Sequence, residues 1–401
     1  LRFGLTLSNC ARLFEPASEA TERLRVNEMS LPERFRQYLD ELHSQGRYRQ
    51  LTLPSGIDFS SNDYLGYGRT PNSVNDPRGP SRSGQASRLL RGQHPLWEEV
   101  ETRLAQWHGS ESALMMTSGY SANEGLLSTL LQPDDFLASD QFVHASAIDG
   151  ARLSKAERYI FRHNDLNHLE DGLGRAAQQR GPGREIFVIT EALFGMEADR
   201  PPLRDITALA QKYQAHVLVD EAHTTGCFGP TGGGLVDALA LRGDVLATVH
   251  TGGKALGVCG AYICSSRLLR EVLINRCRHL IFTTALPPAL AIWWLEMLDR
   301  VTTDTSARRS LHDKVDFFRA ELKRHGISPQ GQDYIVPVVL GDDNRAVWAA
   351  ESLREAGFDI RAIRPPTVAA GTARLRISIH ADHTKSELQS AAAAVAESVR
   401  G

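Results

Sequence analysis

Apolar positions along the chain change their spacing several times, and each change marks an element. Residues 30–48 are mostly polar, with Leu31, Phe35, Tyr38, Leu39 and Leu42 at helical intervals, which predicts a helical N-terminal arm. Residues 71–84 are dense in Pro, Ser, Arg and Gly and read as a loop. Residues 95–108 then set Leu96, Val100, Leu104 and Trp107 on one helical face. A strand-like Ala113-Leu114-Met115-Met116 runs into Thr117-Ser118-Gly119-Tyr120 and a second helix. Short apolar runs follow at 185–190, 216–220, 246–251 and 261–264, separated by helical or glycine-rich segments. Such alternation predicts an α/β domain whose strands are covered on both faces. Beyond Pro288 the chain turns helical, with Ile292, Leu295, Leu298 and Val301 along one stripe. Strands at 335–340 and 375–379, separated by a helix at 345–356, predict a C-terminal α+β portion.

A chain of 401 residues is too long for one small core, so a large and a smaller domain are expected. Its 45 basic and 48 acidic residues leave a net charge of -3 without a basic run, which argues against a nucleic-acid partner. Five scattered cysteines form no C-x-x-C pair, so neither a disulfide framework nor a metal site is expected, and a reducing cytosol fits. The most apolar stretch, 285–298, contains Pro287, Pro288 and Glu296 and is too short and interrupted to span a membrane. The first residues lack the long apolar region of a signal peptide, and the expectation is a soluble cytoplasmic protein.

The chemistry concentrates in two segments. Asp220 ends an apolar run, where a carboxylate usually faces a ligand crevice, and a buried charge there needs a close cation. Lys254 sits downstream among small residues in Thr251-Gly252-Gly253-Lys254-Ala255-Leu256-Gly257, a setting that depresses an amine's pKa and frees it for imine chemistry. Together they suggest pyridoxal phosphate, with Lys254 forming the Schiff base and Asp220 keeping the pyridine nitrogen protonated. Asp220-Glu221-Ala222-His223 also spells a helicase box. That reading requires an upstream G-x-x-x-x-G-K-[ST] loop, which the sequence lacks. His223, one helical turn beyond Asp220, is suited to the cofactor's phenolic oxygen or to a capping role. Ser118-Gly119-Tyr120, between strand and helix, fits a phosphate or an ordinary turn; Tyr120 fits stacking on a flat ring or plain packing. Thr251 is placed to donate to a phosphate. His144 reads as a core or turn histidine unless it shares a site with Asp220, His223 and Lys254.

Taken together these residues resemble the α-oxoamine synthase family of pyridoxal phosphate enzymes, which join an amino acid to an acyl thioester with loss of carbon dioxide. The likeness runs from about Phe59 to His383. It includes Ser60-Ser61-Asn62-Asp63-Tyr64-Leu65-Gly66, Ser87-Arg88-Leu89, Ser118-Gly119-Tyr120, His144-Ala145-Ser146, His163-Asn164-Asp165, Thr190-Glu191, Asp220-Glu221-Ala222-His223, Thr251-Gly252-Gly253-Lys254, Thr283-Thr284-Ala285-Leu286-Pro287-Pro288 and Leu375-Arg376-Ile377-Ser378. The resemblance implies a type I aminotransferase fold: an arm at 1–58, a large cofactor-binding domain at 59–290 with a mostly parallel seven-stranded sheet, and a small α+β domain at 291–401.

It also implies a homodimer with shared active sites. Lys254 would form the imine, Asp220 pair the pyridine nitrogen, His223 bond the phenolic oxygen and His144 stack on the ring. Ser118, Gly119, Tyr120 and Thr251 would surround the phosphate, Glu191 would join the cofactor site, and Thr283 or Thr284 would reach the neighbouring subunit's cofactor. Asn62 and Arg376 would hold the amino acid, Arg376 through its carboxylate. The acyl donor would be an acyl-CoA or acyl-carrier protein. The motifs look most like the branch that condenses L-alanine with a pimeloyl thioester in biotin biosynthesis. Branches producing aminolevulinate, sphingoid bases, secondary metabolites or acetylated glycine share these residues. A plain aminotransferase and a non-catalytic partner subunit are the rivals, and such a subunit would lack the lysine. Gly195 stands where the family carries a serine, Gly252 where it carries a larger apolar residue, and the 69–83 loop departs in length and composition.

Overall fold

Short runs of apolar residues make strands here because nearly every position in them is buried. The computed structural model describes residues 40–41, 43–45, 56–59, 63–67, 83–179, 181 and 184–400. In chain order the strands are β1 (Ile57–Asp58), β2 (Ser112–Met116), β3 (Phe136–Asp140), β4 (Glu157–Phe161), β5 (Ile186–Glu191), β6 (His216–Asp220), β7 (Ala247–Thr251), β8 (Ala261–Ser265), β9 (Ile335–Gly341), β10 (Phe358–Asp359), β11 (Arg361–Ile363) and β12 (Ala373–Ser378). Seven of them form one sheet in the order β2-β8-β7-β6-β5-β3-β4. Only β8 runs against its neighbours; the pairs among β7, β6, β5, β3 and β4 are parallel. The mostly parallel seven-stranded sheet is therefore as expected. Two of its strands, β3 and β4, were not legible: β4 is an edge strand with mostly exposed residues that opens on Glu157 and Arg158.

The longer helices are α1 (Pro95–His108), α2 (Gly119–Leu130), α3 (Ala145–Ser154), α4 (Leu166–Gln178), α5 (Leu203–Lys212), α6 (Arg267–Arg276), α7 (Ala289–Thr303), α8 (Thr305–Arg324), α9 (Asp343–Glu355) and α10 (Lys385–Ser398). Helix α1 shows why the periodicity succeeds. Pro95 starts it without losing a needed donor, Gly109 ends it in the left-handed conformation at φ 58°, and Trp97, Val100, Leu104 and Trp107 are buried. Each such side chain contributes roughly 1.5–3 kcal/mol of burial. The stripe expected on α7 is rotated: Ala291, Trp294, Leu298 and Val301 are buried, whereas Ile292 and Leu295 are only partly covered. Of the two adjacent tryptophans on α7, Trp294 is the one turned inward.

Near the C-terminus β11, β12 and β9 form an antiparallel sheet with α9 beside it. The segment before Tyr64 is tied to this region. β1 pairs with β10, Ser378 N–H donates to the Phe59 carbonyl at 2.8 Å, and Ala381 N–H donates to that of Tyr64 at 2.7 Å. Residues 54–401 pack as one unit; of the separate unit 1–53 only residues between Asp40 and Gln45 are described, and Asp40, Glu41, His43 and Ser44 are helical. The rest of the expected arm and nearly all of the 69–83 loop lie outside the described residues. No helix among the described residues is long and apolar enough to cross a membrane.

Candidate active site

Parallel strands bring their C-terminal ends to one edge, so Asp140, Glu191, Asp220 and Thr251 end β3, β5, β6 and β7 side by side. Glu191 and Asp220 are register partners. Two like charges there would repel, and burial followed by the charge of Asp220 raises the pKa of Glu191 well above the carboxylate range. Asp220 is held on both oxygens. Asn123 donates to Oδ2 at 2.7 Å and the Ala222 N–H to Oδ1 at 2.8 Å. Asn123 also reaches Ser146 Oγ at 3.1 Å, and Ser146 Oγ lies 2.8 Å from His144 Nδ1. A hydrogen-bonded chain thus joins Asp220 to His144.

Lys254 lies in the turn after β7, where burial pulls its pKa down to about 8 against the attraction of Asp220 and Glu191. Its Nζ is 2.8 Å from His223 Nε2. The residues following Asp220 form successive turns and not the helix expected, so His223 is placed by loop contacts. Tyr334 donates to its carbonyl, and its Nδ1 is 2.9 Å from Tyr64 Oη. Burial, with Lys254 and Arg376 nearby, lowers the His223 pKa well below its ordinary value. Glu221 turns away: it accepts from the N–H groups of Leu235 at 2.9 Å and Val236 at 2.6 Å, anchoring the loop.

Arg376, on β12, donates through Nε to the Gly195 carbonyl at 2.8 Å and through Nη1 to Ser378 Oγ at 3.1 Å. Arg374 donates to the Met196 carbonyl at 2.9 Å. These bonds clamp the 194–199 loop from the C-terminal sheet. From the other side His163 bridges Asp140 and Asp199, each at 2.9 Å. Burial opposes charge on His163, yet the two carboxylates bring its pKa up to about 9. In this clamp Gly195 is needed for space, because a Cβ there would fall 2.5 Å from His223 Nε2. Gly252 is explained likewise. A Cβ would lie 2.5 Å from the Trp294 indole, which fills the volume a larger residue would take.

Ser118 caps α2 in a reciprocal box with Ser121, leaving the first N–H groups of the helix directed outward. Gly119 faces Thr251, whose Cβ is 3.6 Å from where a Gly119 Cβ would stand. Tyr120 is exposed; its hydroxyl donates to Asp149 and its ring lies edge-on to His144, centroids 6.1 Å apart. His144 caps α3 and its ring is exposed to the open side. Thr283 lines a cavity of about 590 Å³ with Thr117, Ser121 and His279. Among the described residues no hydrogen bond joins Thr283 or Thr284 to the Lys254 group. Asn62 lies outside the described residues. Sequence reasoning missed Asn123 and gave Tyr64 no role. A usable signal existed for Asn123: it is a polar residue on the buried face of α2, beside Ala122 and Leu126.

Residues 54–395 match the family aminotransferase class I and II. The chain belongs to that family. A putative 8-amino-7-oxononanoate synthase of Geobacillus kaustophilus is 42% identical over 85% of this chain and 88% of its own. The 8-amino-7-oxononanoate synthase of Chlorobaculum parvum is 39% identical over 92% and 94%. A serine palmitoyltransferase from S. paucimobilis, solved with a bound PLP–myriocin aldimine, superposes with a TM-score of 0.84 at 29% identity, covering 93% of this chain and 99% of that one. The α-oxoamine synthase resemblance, the type I aminotransferase fold and the pyridoxal phosphate cofactor therefore hold. The side chains fit that cofactor: a lysine of lowered pKa, a carboxylate fixed on both oxygens at a strand end, and a capped helix N-terminus facing a threonine.

A second buried cluster lies close by, around His250, the residue before Thr251 on β7. The donor atoms of His108, His250 and Cys264 are all within 4.8 Å of one another. Their ring nitrogens are already engaged: His108 with Tyr262 at 2.8 Å and with the Gly233 backbone, His250 with Thr225 and Thr248, each at 2.7 Å.

Proposed function

We propose that this chain condenses L-alanine with a pimeloyl thioester, carried on CoA or a carrier protein, to give 8-amino-7-oxononanoate, carbon dioxide and the free thiol. The observation that carries the reading is Lys254 held between Asp220, Glu191, His223 and Arg376 at one sheet edge. The names of the relatives supply the substrates. Bound pyridoxal phosphate supplies an electron sink for the pair released when the amino acid loses its Cα proton. Lys254 would hold the cofactor and, once displaced by the amino acid, take that proton at Nζ. Asp220 would keep the pyridine nitrogen protonated, and Asn123 and the Ala222 N–H keep Asp220 in line. Ser118, Gly119, Tyr120 and Thr251 would hold the phosphate, with Glu191 beside the cofactor, its pKa raised by burial and Asp220. Arg376, with Asn62, would grip the amino-acid carboxylate. His144 would cover the ring from its open face.

In the reaction the substrate Cα bonds to the acyl carbon as the thiolate leaves. The Cα–carboxylate bond then breaks to release carbon dioxide, and a proton returns to Cα. The reading includes a cytoplasmic homodimer with a cofactor domain at 59–290 and a smaller domain at 291–401. Exposed Leu89, Leu90 and Phe282, close to Thr283 and Thr284 in the chain or through Ala285, supply an apolar surface for the second copy. The test is mass spectrometry of the product from L-alanine and pimeloyl-CoA, with glycine and L-serine in parallel. Product from L-alanine alone is expected; turnover of glycine or serine in its place discards the substrate assignment.

A further inference from the structure

We infer that Tyr64 is a positioning residue that fixes which nitrogen of His223 carries the proton, so that Nε2–H points into the site. The argument is one of donors and acceptors. Arg376 Nη2 lies 3.4 Å from Tyr64 Oη, and a guanidinium only donates, so the phenolic oxygen is the acceptor of that contact. His223 Nδ1, at 2.9 Å, stands as an acceptor for the hydroxyl hydrogen. Tyr64 is fully buried and its pKa is pushed up to about 12 by burial, so the phenol keeps its proton throughout the working range. A neutral imidazole that accepts at Nδ1 must donate at Nε2. That N–H faces Lys254 Nζ at 2.8 Å, where it disfavours the ammonium and bonds the amine once its proton is lost.

The arrangement has little slack. Tyr64 is gripped through its own carbonyl by Ala381 N–H and packs against Tyr334 at 4.4 Å between ring centroids, while Tyr334 holds the carbonyl of His223. Gly195 adds no side chain on the Nε2 side. The charged and titratable groups bearing on Lys254 and His223 are Asp220, Glu191, Arg376 and His144. Of the groups around Nδ1, Tyr64 is the one that touches it while being unable to change charge near neutrality.

The inference rests on Lys254 and His223 belonging to the cofactor site, and the test is made on cofactor-free full-length enzyme to keep the two questions apart. Nitrogen NMR of histidine-labelled protein, with His223→Gln to assign the ring, reads the tautomer directly. Nδ1 of the acceptor type and Nε2 of the protonated type are expected; the reverse in the unaltered enzyme overturns the inference whatever any variant does. In Tyr64→Phe, which keeps the ring, the tautomer is expected to mix. The pH midpoint for capture of added pyridoxal phosphate should rise, and capture at pH 7 weaken about five- to tenfold. A lowered melting temperature with tautomer and midpoint unchanged would make Tyr64 a packing residue only. Failure of Lys254→Ala to disturb capture would instead sink the cofactor-site assignment.

Discussion

Two neighbouring groups at β7 each bury histidines among polar side chains, and they behave oppositely. Around His108 and His250 the partners are tyrosine and threonine hydroxyls and backbone, burial drives both imidazoles neutral, and burial pushes the Cys264 thiol up to about 12. Arg242 bears on His108 and Cys264 from nearby, but the ring nitrogens are satisfied by neutral groups. Around Lys254 and His223, two basic and two acidic side chains lie together and their demands conflict: burial and Asp220 raise the pKa of Glu191, and burial, helped by Arg376, lowers that of Lys254 against the pull of Asp220 and Glu191. A buried histidine pair is therefore a poor sign of chemistry. Opposed charges held in fixed geometry are a better one.

The comparison breaks first at Lys254. Lys254→Ala should lower turnover at least about a thousandfold while leaving the melting temperature of the cofactor-free protein nearly unchanged; measurable condensation by the purified variant would remove the lysine from its role. The opposite behaviour is expected of His250→Ala, which strands Thr225 and Thr248 and leaves a cavity. It should cost about 2–4 kcal/mol in denaturant unfolding, with kcat of the folded fraction within about twofold of normal. A large loss of kcat there would mean the two groups are coupled. Asn123→Ala sharpens the picture, since it frees one oxygen of Asp220 without touching the ring. A fall in kcat/KM of about ten- to fiftyfold is expected, and an unaltered value would show that the Ala222 N–H suffices.

The smallest effect is in pH. His163 has a folded value of about 9, above its ordinary value of 6.5, so its contribution is full below about pH 6.5 and is lost as pH rises through 9. Unfolding free energy should fall by about 1–2 kcal/mol over that window, and the fall should vanish in His163→Gln.

Much of this was legible beforehand, for identifiable reasons. The runs at β5, β6, β7 and β8 are apolar because both faces of a parallel sheet are covered, and α1 and α9 announce themselves by their caps and stripes. Edge strand β4 has one face in water and gave no such run. At the site, Asp220, His223 and Lys254 stood out because polar residues interrupt apolar or glycine-rich stretches. Tyr64 and Asn123 did not, since their partners are 159 and 97 residues away in the chain and only the fold brings them together. The helical turn expected between Asp220 and His223 failed because Glu221 spends its carboxylate on Leu235 and Val236, drawing the backbone into a loop.

Gly252 and Trp294 are, in effect, a lock and its key cut on separate parts of the chain. The loop that carries Lys254 presses its backbone against an indole from α7, with no room for a single extra carbon. Anyone building a chimera with a related enzyme, taking one half from each parent, would have to carry both positions from the same parent. A mismatched pair would either force the reactive amine out of alignment or leave it over a hole, whatever the rest of the graft preserved.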